Sequence, residues 1–318
     1  MDEFQWIDAL RRALHGHAPA PPWGIGDDAA LLPSRAGRCV IATDLMIEDV
    51  HFRRSWSSLS DVAWKLYAAN ASDMWAMGAA PTQWLFSVGW PAKPTQADAE
   101  ALAEGFLGAM QGWGAADLIG GDTSSADRLT LSLTMLGERA QNPWVRHAFH
   151  PGDRLWVDGP LGVSAAGLAL LQEDACALTT AEQKCVAQHL RPMRTPSEVQ
   201  VEVRGAIDVS DGLVADLLHG ARASGVRMRL NQTLPGRVLL EDVAKRWDPQ
   251  PEAIHARCDA WQLGGGEDYV RVIGASEHPG PGWTEIGVVE AGAPSVFDER
   301  AGERQELTAM GWNHFRAS

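Results

Sequence analysis

The chain has 318 residues, more than one domain usually contains, so we expect two packed domains and not a small disulfide-stabilised scaffold. Its formal net charge is −14, and no Lys/Arg cluster is interleaved with aromatic residues, so nucleic acid is not an expected partner. The four cysteines lack metal-ligand spacing, and the longest nearly apolar run, residues 161–171, is too short to span a bilayer. We therefore expect a cytoplasmic protein with reduced thiols and no membrane association.

The first half of the chain alternates predicted strands and helices. Apolar β-branched runs predict strands, and apolar residues at helical spacing predict helices. The second helix begins with the capping-box pattern of Thr95 and Asp98, and alternating apolar residues from Leu129 to Met135 predict a strand with one buried face. In chain order the predicted elements are strand 37–47, helix 61–78, strand 82–90, helix 95–114, strand 116–125 and strand 128–138.

The second half has the same alternation after a segment without periodicity. Residues 140–153 contain two prolines and match neither a strand nor a helix, so we place a domain boundary near residue 147. The predicted domains are residues 1–147 and 148–318, and the alternating elements favour an α/β or α+β fold. The predicted elements of the second domain are strand 153–159, helix 163–173, strand 205–210 and helix 213–225.

Aspartates recur where predicted elements end, often beside glycine. Any one of them could cap a helix or form an Asx turn, and Ser210 or Asp211 could simply cap the helix that follows. Carboxylates at the ends of buried elements need partners, however, and the chain has only four lysines. Oxygen ligands without His/Cys spacing favour Mg²⁺, which commonly shares its ligands with the phosphates of a nucleotide. The acidic residues are Asp27, Asp28, Asp44, Asp73, Asp122, Asp208 and Asp211, with Glu267 and Asp268 in a related GGGED motif.

Other catalytic motifs are absent from the sequence. It contains neither GxxxxGK[ST] nor GxGxxG between a strand and a helix, and it lacks the HRD and DFG motifs of protein kinases, so phosphates would be held mainly through metal. Ser164 matches the G-x-S-x-G nucleophile elbow only loosely, because Ala166 replaces the last glycine. A hydrolase is therefore not favoured.

Taken together, the motifs resemble those of the thiamine-monophosphate kinases, within the superfamily that includes aminoimidazole-ribonucleotide synthetase and selenophosphate synthetase. The resemblance extends over nearly the whole chain, with the motifs in the family's order and approximate spacing. The stretches that carry it are GIGDDAALL, TDLMIEDVHF, KLYAANASDMWAMGAAP, LIGGDT, PGDRLWVDGPLGVSAAGLALL, HLRP, AIDVSDGLVADL and GGGEDY.

The resemblance implies a fold, an activity and a set of site residues. It implies an N-terminal domain that binds ATP and Mg²⁺, and whose sheet pairs with that of a second subunit into a barrel. A C-terminal α/β domain would complete the active site of this homodimer. The implied reaction is ATP-dependent phosphorylation of thiamine monophosphate to thiamine diphosphate by direct in-line transfer. The implied metal ligands are Asp28, Thr43, Asp44, Asp73, Asp122, Asp208 and Asp211, of which Asp122, Asp208 and Asp211 would be catalytic; Gly121, Asp122, Arg146 and Ser210 would contact ATP, and His51, Glu267 and Trp312 the thiamine substrate.

Two departures from the family pattern keep alternatives open. Ala42 replaces a small polar residue before the TD motif, so a metal contact there would have to use the backbone carbonyl. Val270 and Arg271 follow GEDY where the family more often has Glu-Leu, which we expect to make that strand less regular. The alternatives are a related ATP-dependent synthetase with another substrate, similar to aminoimidazole-ribonucleotide synthetase, and a non-catalytic nucleotide-binding homologue.

Overall fold

The structure is a computed structural model that describes residues 29–34, 37–139, 143–308 and 310–311. Two β-sheets, each with helices packed against it, form a mixed α/β fold, as the sequence predicts. Two of the predicted site residues, Asp28 and Trp312, lie outside the described residues.

The first sheet contains five strands in the order β1-β2-β5-β3-β4. β3 and β4 are parallel, and the other neighbours are antiparallel. β4 and β5 follow each other in the chain but do not pair, because β3 lies between them. The predicted alternation is confirmed, since every second side chain from Leu129 to Met135 is fully buried. The strands are β1 (Ala30–Ser34), β2 (Gly37–Ile47), β3 (Ala80–Trp90), β4 (Asp117–Ser125) and β5 (Thr130–Arg139).

Two helices pack against this sheet, α1 (Leu59–Ala76) and α2 (Gln96–Trp113). The predicted capping box of α2 is confirmed: the amide of Thr95 donates to Asp98 Oδ2 at 2.8 Å, and the Thr95 hydroxyl accepts from the Asp98 amide. α1 begins two residues earlier than predicted because Ser58 and Asp61 form a second capping box.

The second sheet contains seven strands in the order β12-β11-β8-β10-β6-β9-β7. A one-turn 3₁₀ helix, Arg146–Ala148, precedes it in the chain. The strands are β6 (Arg154–Val157), β7 (Ala206–Asp208), β8 (Arg227–Leu230), β9 (Arg271–Ala275), β10 (Thr284–Glu290), β11 (Ser295–Asp298) and β12 (Gln305–Leu307). The helices of this half are α3 (Val163–Gln172), α4 (Thr180–Leu190), α5 (Leu213–Ser224), α6 (Arg237–Ala244) and α7 (Pro251–Gly264).

Helix α1 connects the two sheets physically. It packs on β2, β3 and β5 of the first sheet and also contacts β7 and β9 of the second. Side chains are buried around nearly its whole circumference, which suits a helix with protein on several sides. The division of the chain into domains at residue 147 stays a prediction. None of the helices in the described segments combines the length and apolar character that a membrane span needs.

The expectation of an irregular strand after GEDY is wrong. β9 pairs with β6 and β7 without a register shift, and Val270 is fully buried. Arg271 is buried as well, and its backbone amide and Nε each donate to the Asp158 carboxylate at 2.8 Å. Arg194 also donates to Asp158, and the Arg271 guanidinium stacks 5.0 Å from the Trp283 ring. Charge pairing and stacking thus compensate the burial of an arginine where the family more often has leucine.

We predict that Asp158→Asn lowers the free energy of unfolding by about 3 kcal/mol, because it leaves a buried guanidinium without its counter-charge. Adding Arg271→Leu should restore part of that loss, since the stranded charge is then gone. Urea unfolding of the single and double variants measures the coupling. Asp242→Asn, which breaks the exposed pair with Lys245, is the control and should change stability by less than about 0.5 kcal/mol. Additive effects of the two buried substitutions would contradict the prediction.

Candidate active site

Two acidic loops meet at the edge of the second sheet. β7 ends at Asp208, and the loop before β9 pairs with the turn that follows it. The amide of Glu267 donates to the Ser210 carbonyl at 2.8 Å, and the amide of Tyr269 donates to the Val209 carbonyl at 3.0 Å. Backbone hydrogen bonds therefore place Glu267 beside the turn after Asp208.

The negative charges of four carboxylates act on the buried side chain of Tyr269. Burial raises the pKa of Tyr269 well above its ordinary value, and the negative charges of Glu267, Asp44, Asp208 and Asp73 raise it further. These carboxylates come from α1, β2, β7 and the loop before β9, so they are distant in sequence. The fold thus brings together three predicted metal ligands and one predicted substrate contact.

Two buried oxygen atoms near this cluster lack a hydrogen-bond partner among the described residues. They are Oδ2 of Asp44 and Oδ1 of Asn70, which lies one helical turn before Asp73. Burial raises the pKa of Asp44 to about 6. Asp208, by contrast, accepts from Ser72 Oγ at 2.7 Å. A buried acceptor without a donor is costly, so the oxygens of Asp44 and Asn70 suit a bound cation or a bound donor.

The turn that carries Ser210 and Asp211 is held by a residue of the following helix. Oδ2 of Asp216 accepts hydrogen bonds from the amides of Ser210, Asp211 and Gly212 at 3.0–3.1 Å. Gly212 precedes α5 with a φ of 132°, and no side chain caps the helix there. The structure therefore argues against the reading in which Ser210 or Asp211 merely caps α5. The backbone amides of the turn are satisfied by Asp216 instead.

Three predicted residues lie on the other face or at the edge of the first sheet. Oγ1 of Thr43 lies 2.9 Å from Oγ1 of Thr134, and strand alternation puts it on the face opposite to Asp44. Gly121 and Asp122 lie on β4, the exposed edge strand. β4 is three strands from β2, which is about 14 Å at the usual strand spacing. Within a single subunit, Asp122 is therefore not adjacent to Asp44.

Two of the predicted nucleotide contacts, Gly121 and Arg146, also have structural roles within the fold. A Cβ atom at Gly121 would lie 1.7 Å from the Phe86 carbonyl oxygen, so glycine is required by the close approach of β3 and β4. Arg146 lies in the 3₁₀ helix that packs against α5. Burial and the charges of Arg146 and Arg222 lower the pKa of His219 to about 4. Arg146 on the 3₁₀ helix and Arg222 on α5 are therefore both close enough to His219 to act on its charge.

Comparison with known proteins assigns the family. Residues 26–139 match the family described as AIR synthase related protein, N-terminal domain. The chain is 36% identical to the thiamine-monophosphate kinase of Mycobacterium tuberculosis, covering 99% of this chain and 92% of that protein. It is also 36% identical to the thiamine-monophosphate kinase of Bacillus subtilis, covering 85% of this chain and 82% of that protein. The chain belongs to the thiamine-monophosphate kinase family. The structure of AaThiL complexed with AMPPCP and TMP superposes with a TM-score of 0.83 at 29% identity, covering 99% of this chain and 97% of that one.

Two of the three predicted substrate contacts of the kinase family can be located. Burial alone would raise the pKa of the Glu267 carboxyl, but Lys65, His189 and His51 together hold it below its ordinary value. His51 is therefore close enough to Glu267 to act on its charge. Nδ1 of His51 accepts from the amide of Ile47 at 3.0 Å, which orients the ring. The structure thus brings His51 and Glu267 to one region.

A buried polar network that the sequence did not predict lies behind this kinase-family site. Lys65 Nζ lies 2.9 Å from Glu267 Oε2 and 3.3 Å from His189 Nε2. Oγ of Ser164 lies 3.0 Å from His189 Nδ1 and is buried, so this serine is not an exposed nucleophile. Asp268 accepts from the amide of Ser164 at 3.1 Å and so caps helix α3. The available sequence signal was a lysine within an apolar helix, which is unusual unless the ammonium is paired.

The residues of the cluster fit Mg²⁺ in type, although they do not form a complete cage. No group of three or more His, Cys, Asp or Glu side chains within the described segments is already close enough to hold a metal. Mg²⁺ usually keeps several waters and binds through one or two carboxylates plus substrate phosphates, so a complete protein cage is not needed. The partnerless, buried Oδ2 of Asp44 is the observation that favours a cation here. The donor set of carboxylate oxygens also matches the preference of Mg²⁺.

We predict that Asp216→Ala lowers the free energy of unfolding by about 3 kcal/mol, because three amides lose their acceptor. Amide hydrogen exchange at residues 210–212 should accelerate, since these hydrogen bonds protect the turn. Glu252→Ala is the matched control, because Glu252 is also acidic and in the first turn of a helix but is exposed. Unchanged exchange at residues 210–212 in Asp216→Ala would show that Asp216 does not hold the turn.

Proposed function

We propose that the chain transfers the γ-phosphate of ATP to thiamine monophosphate, giving thiamine diphosphate and ADP. The convergence of Asp44, Asp73, Asp208 and Glu267 around Tyr269 carries the proposal, because it puts predicted metal ligands beside a predicted substrate contact. The named kinase relatives and the similarity to a protein complexed with AMPPCP and TMP support the same substrates. The cytoplasmic location stays a prediction from the sequence.

The reaction requires neutralisation of the negative charge on the phosphates more than removal of a proton. A phosphate monoester has its second pKa near about 6, so the acceptor oxygen of thiamine monophosphate is largely ionised at neutral pH. No side chain has to act as a general base. Two phosphate-bearing anions must nevertheless approach each other in line. We therefore propose direct transfer without a phosphorylated enzyme intermediate.

The proposed roles of the side chains follow from this requirement. Mg²⁺, when bound, would supply positive charge that neutralises the phosphate oxygens. Asp216 accepts the amide of Asp211 and so fixes the backbone of the turn that carries Asp211, three residues after Asp208. The proposed metal ligands are Asp28, Thr43, Asp44, Asp73, Asp122, Asp208 and Asp211, with Asp122, Asp208 and Asp211 catalytic. The proposed ATP contacts are Gly121, Asp122, Arg146 and Ser210, and the proposed thiamine contacts are His51, Glu267 and Trp312.

Incubation of the purified protein with ATP, Mg²⁺ and thiamine monophosphate tests the proposal, and we expect thiamine diphosphate and ADP in equal amounts. Asp211→Asn should reduce kcat by about 100-fold or more, because the carboxylate charge is lost. Its stability should change little, since the amide of residue 211 still donates to Asp216. Asp242→Asn, an exposed change of the same type, is the control. Absence of product from the folded protein, or near-normal turnover of Asp211→Asn, would contradict the proposal.

We also propose that the chain acts as a homodimer through the outer face of its first sheet. The side chains of Leu45 and Leu85 on that face are 49% and 39% exposed, although both are apolar. The edge strand β4 adds Leu118 and Ile119, which are more than half exposed. A second copy would bury this apolar surface, and stable interfaces bury roughly 1,600 Å² in total. Thr43 and Asp122 would then lie near the interface.

We predict that Leu85→Lys converts the dimer to a monomer in sedimentation velocity at low micromolar concentration, because a charge would be buried without a partner. Val238→Lys is the control, since Val238 is 83% exposed on α6, away from the first sheet. A dimeric Leu85→Lys variant or a monomeric wild-type protein would contradict the proposed interface.

A further inference from the structure

Lys65 is a buried cation in the middle of α1. All four lysines lie in the described part of the chain, and only Lys65 is buried, with 4% of its surface exposed. Removing an ammonium group from water is costly unless charged or polar partners compensate it. Its partners are the carboxylate of Glu267, at 2.9 Å, and the ring of His189, at 3.3 Å. Lys65 therefore contacts a residue that we propose to bind substrate, from the side that faces the protein interior.

The protonation state of His189 follows from these contacts. Burial and the charge of Lys65 lower the pKa of His189 to about 3, so the ring is neutral near pH 7. An ammonium group has only donors, so Nε2 of His189 accepts from Lys65 and the ring proton is on Nδ1. Nδ1 lies 3.0 Å from Ser164 Oγ and 3.3 Å from Glu267 Oε2. The single ring proton of His189 is therefore donated to Ser164 Oγ, while Nε2 orients the Lys65 ammonium group that donates to Glu267 Oε2.

The other carboxylate oxygen of Glu267, Oε1, accepts no hydrogen bond within the described residues. The one side-chain hydrogen bond of Glu267 within the described residues, from Lys65, goes to Oε2, and 30% of the side chain is exposed. The backbone of Glu267 is also constrained, with a φ of 60° and an amide bonded to the Ser210 carbonyl. Both the orientation and the charge of this carboxylate are therefore set by protein contacts before any ligand binds.

We propose that Lys65 is a positioning residue for thiamine monophosphate: oriented by His189, it holds Oε2 of Glu267 and leaves Oε1 for the cationic thiamine group. This inference rests on the proposed function. The backbone of Glu267 is hydrogen-bonded to the turn that follows Asp208, a proposed metal ligand, so an uncompensated carboxylate there would be attracted to a divalent cation held by Asp208. Pairing with Lys65 keeps Glu267 available for the organic cation.

Steady-state kinetics of Lys65→Met test the proposal. We expect the KM for thiamine monophosphate to rise by about 10-fold, because a charged hydrogen bond that orients Glu267 is lost. The KM for ATP and kcat should each change by less than about twofold. Calorimetric binding of thiamine monophosphate without ATP should weaken by a similar factor. Lys65→Arg keeps the charge and should recover part of the affinity.

Two further variants separate positioning from general damage. Glu267→Gln combined with Lys65→Met should bind thiamine monophosphate no more weakly than Glu267→Gln alone, because Lys65 acts through Glu267. Arg246→Met is the matched control: it removes a cation from a buried carboxylate, Glu182, outside the Glu267 network, and should leave both KM values unchanged. If Lys65→Met fails to fold, His189→Leu removes the acceptor that orients the Lys65 ammonium group and should raise the KM for thiamine monophosphate by about threefold.

The outcomes distinguish this inference from the proposed function. A wild-type protein that forms no thiamine diphosphate would refute the function, and with it the substrate on which this inference rests. An active wild type with an unchanged KM in Lys65→Met, or in His189→Leu where only that variant folds, would overturn the role of Lys65 alone. A parallel rise of both KM values with a fall in kcat, or an additive effect with Glu267→Gln, would also overturn it by indicating general structural damage.

Discussion

The compensation of buried negative charge is the constraint on which the site depends. Several carboxylates are carried to the junction of the two sheets, and the chain offers one buried ammonium group, that of Lys65, to balance them. Three solutions occur side by side. Glu267 is paired with Lys65, Asp216 and Asp268 accept backbone amides at helix starts, and Oδ2 of Asp44 has no partner in the described chain. The kind of compensation therefore separates structural acids from candidate ligands.

This distinction explains why sequence alone could identify the acidic motifs but could not assign each member a role. Asp208, Asp211 and Asp216 lie within nine residues of one another, and each is acidic near a helix start. Only the fold shows that Asp216 accepts the three amides of the turn, which removes helix capping as an explanation for Asp211. The same holds for GGGED, where Asp268 caps α3 while Glu267 turns to Lys65. Neighbouring acidic residues therefore have different roles, because the groups that they contact are far away in the sequence.

The fold, like the site, could be predicted only in part from the sequence. Periodicity and capping predicted four of the five strands of the first sheet and both of its helices, because those signals are local, whereas β1 was not predicted. The order of the strands was not predictable, since β3 separates the consecutive strands β4 and β5. The regularity of β9 at Arg271 was mispredicted for a related reason. The partner of Arg271, Asp158, is 113 positions away, and no residue near Arg271 in the sequence indicates this pair. Local patterns therefore identify elements, whereas long-range pairs decide whether an unusual residue is tolerated.

The two faces of the first sheet set a further limit on the proposed metal chemistry. Asp44 faces α1 and Tyr269, whereas the Thr43 side chain faces away and Asp122 lies on the edge strand. A single Mg²⁺ binds ligands at about 2.1 Å, so it cannot contact carboxylates that are about 14 Å apart. If all the proposed ligands act, they must therefore hold at least two separate ions. In that arrangement, the ion near Asp44 would be positioned by the junction between the sheets, and the ion near Asp122 by the exposed edge where we propose that a second subunit packs.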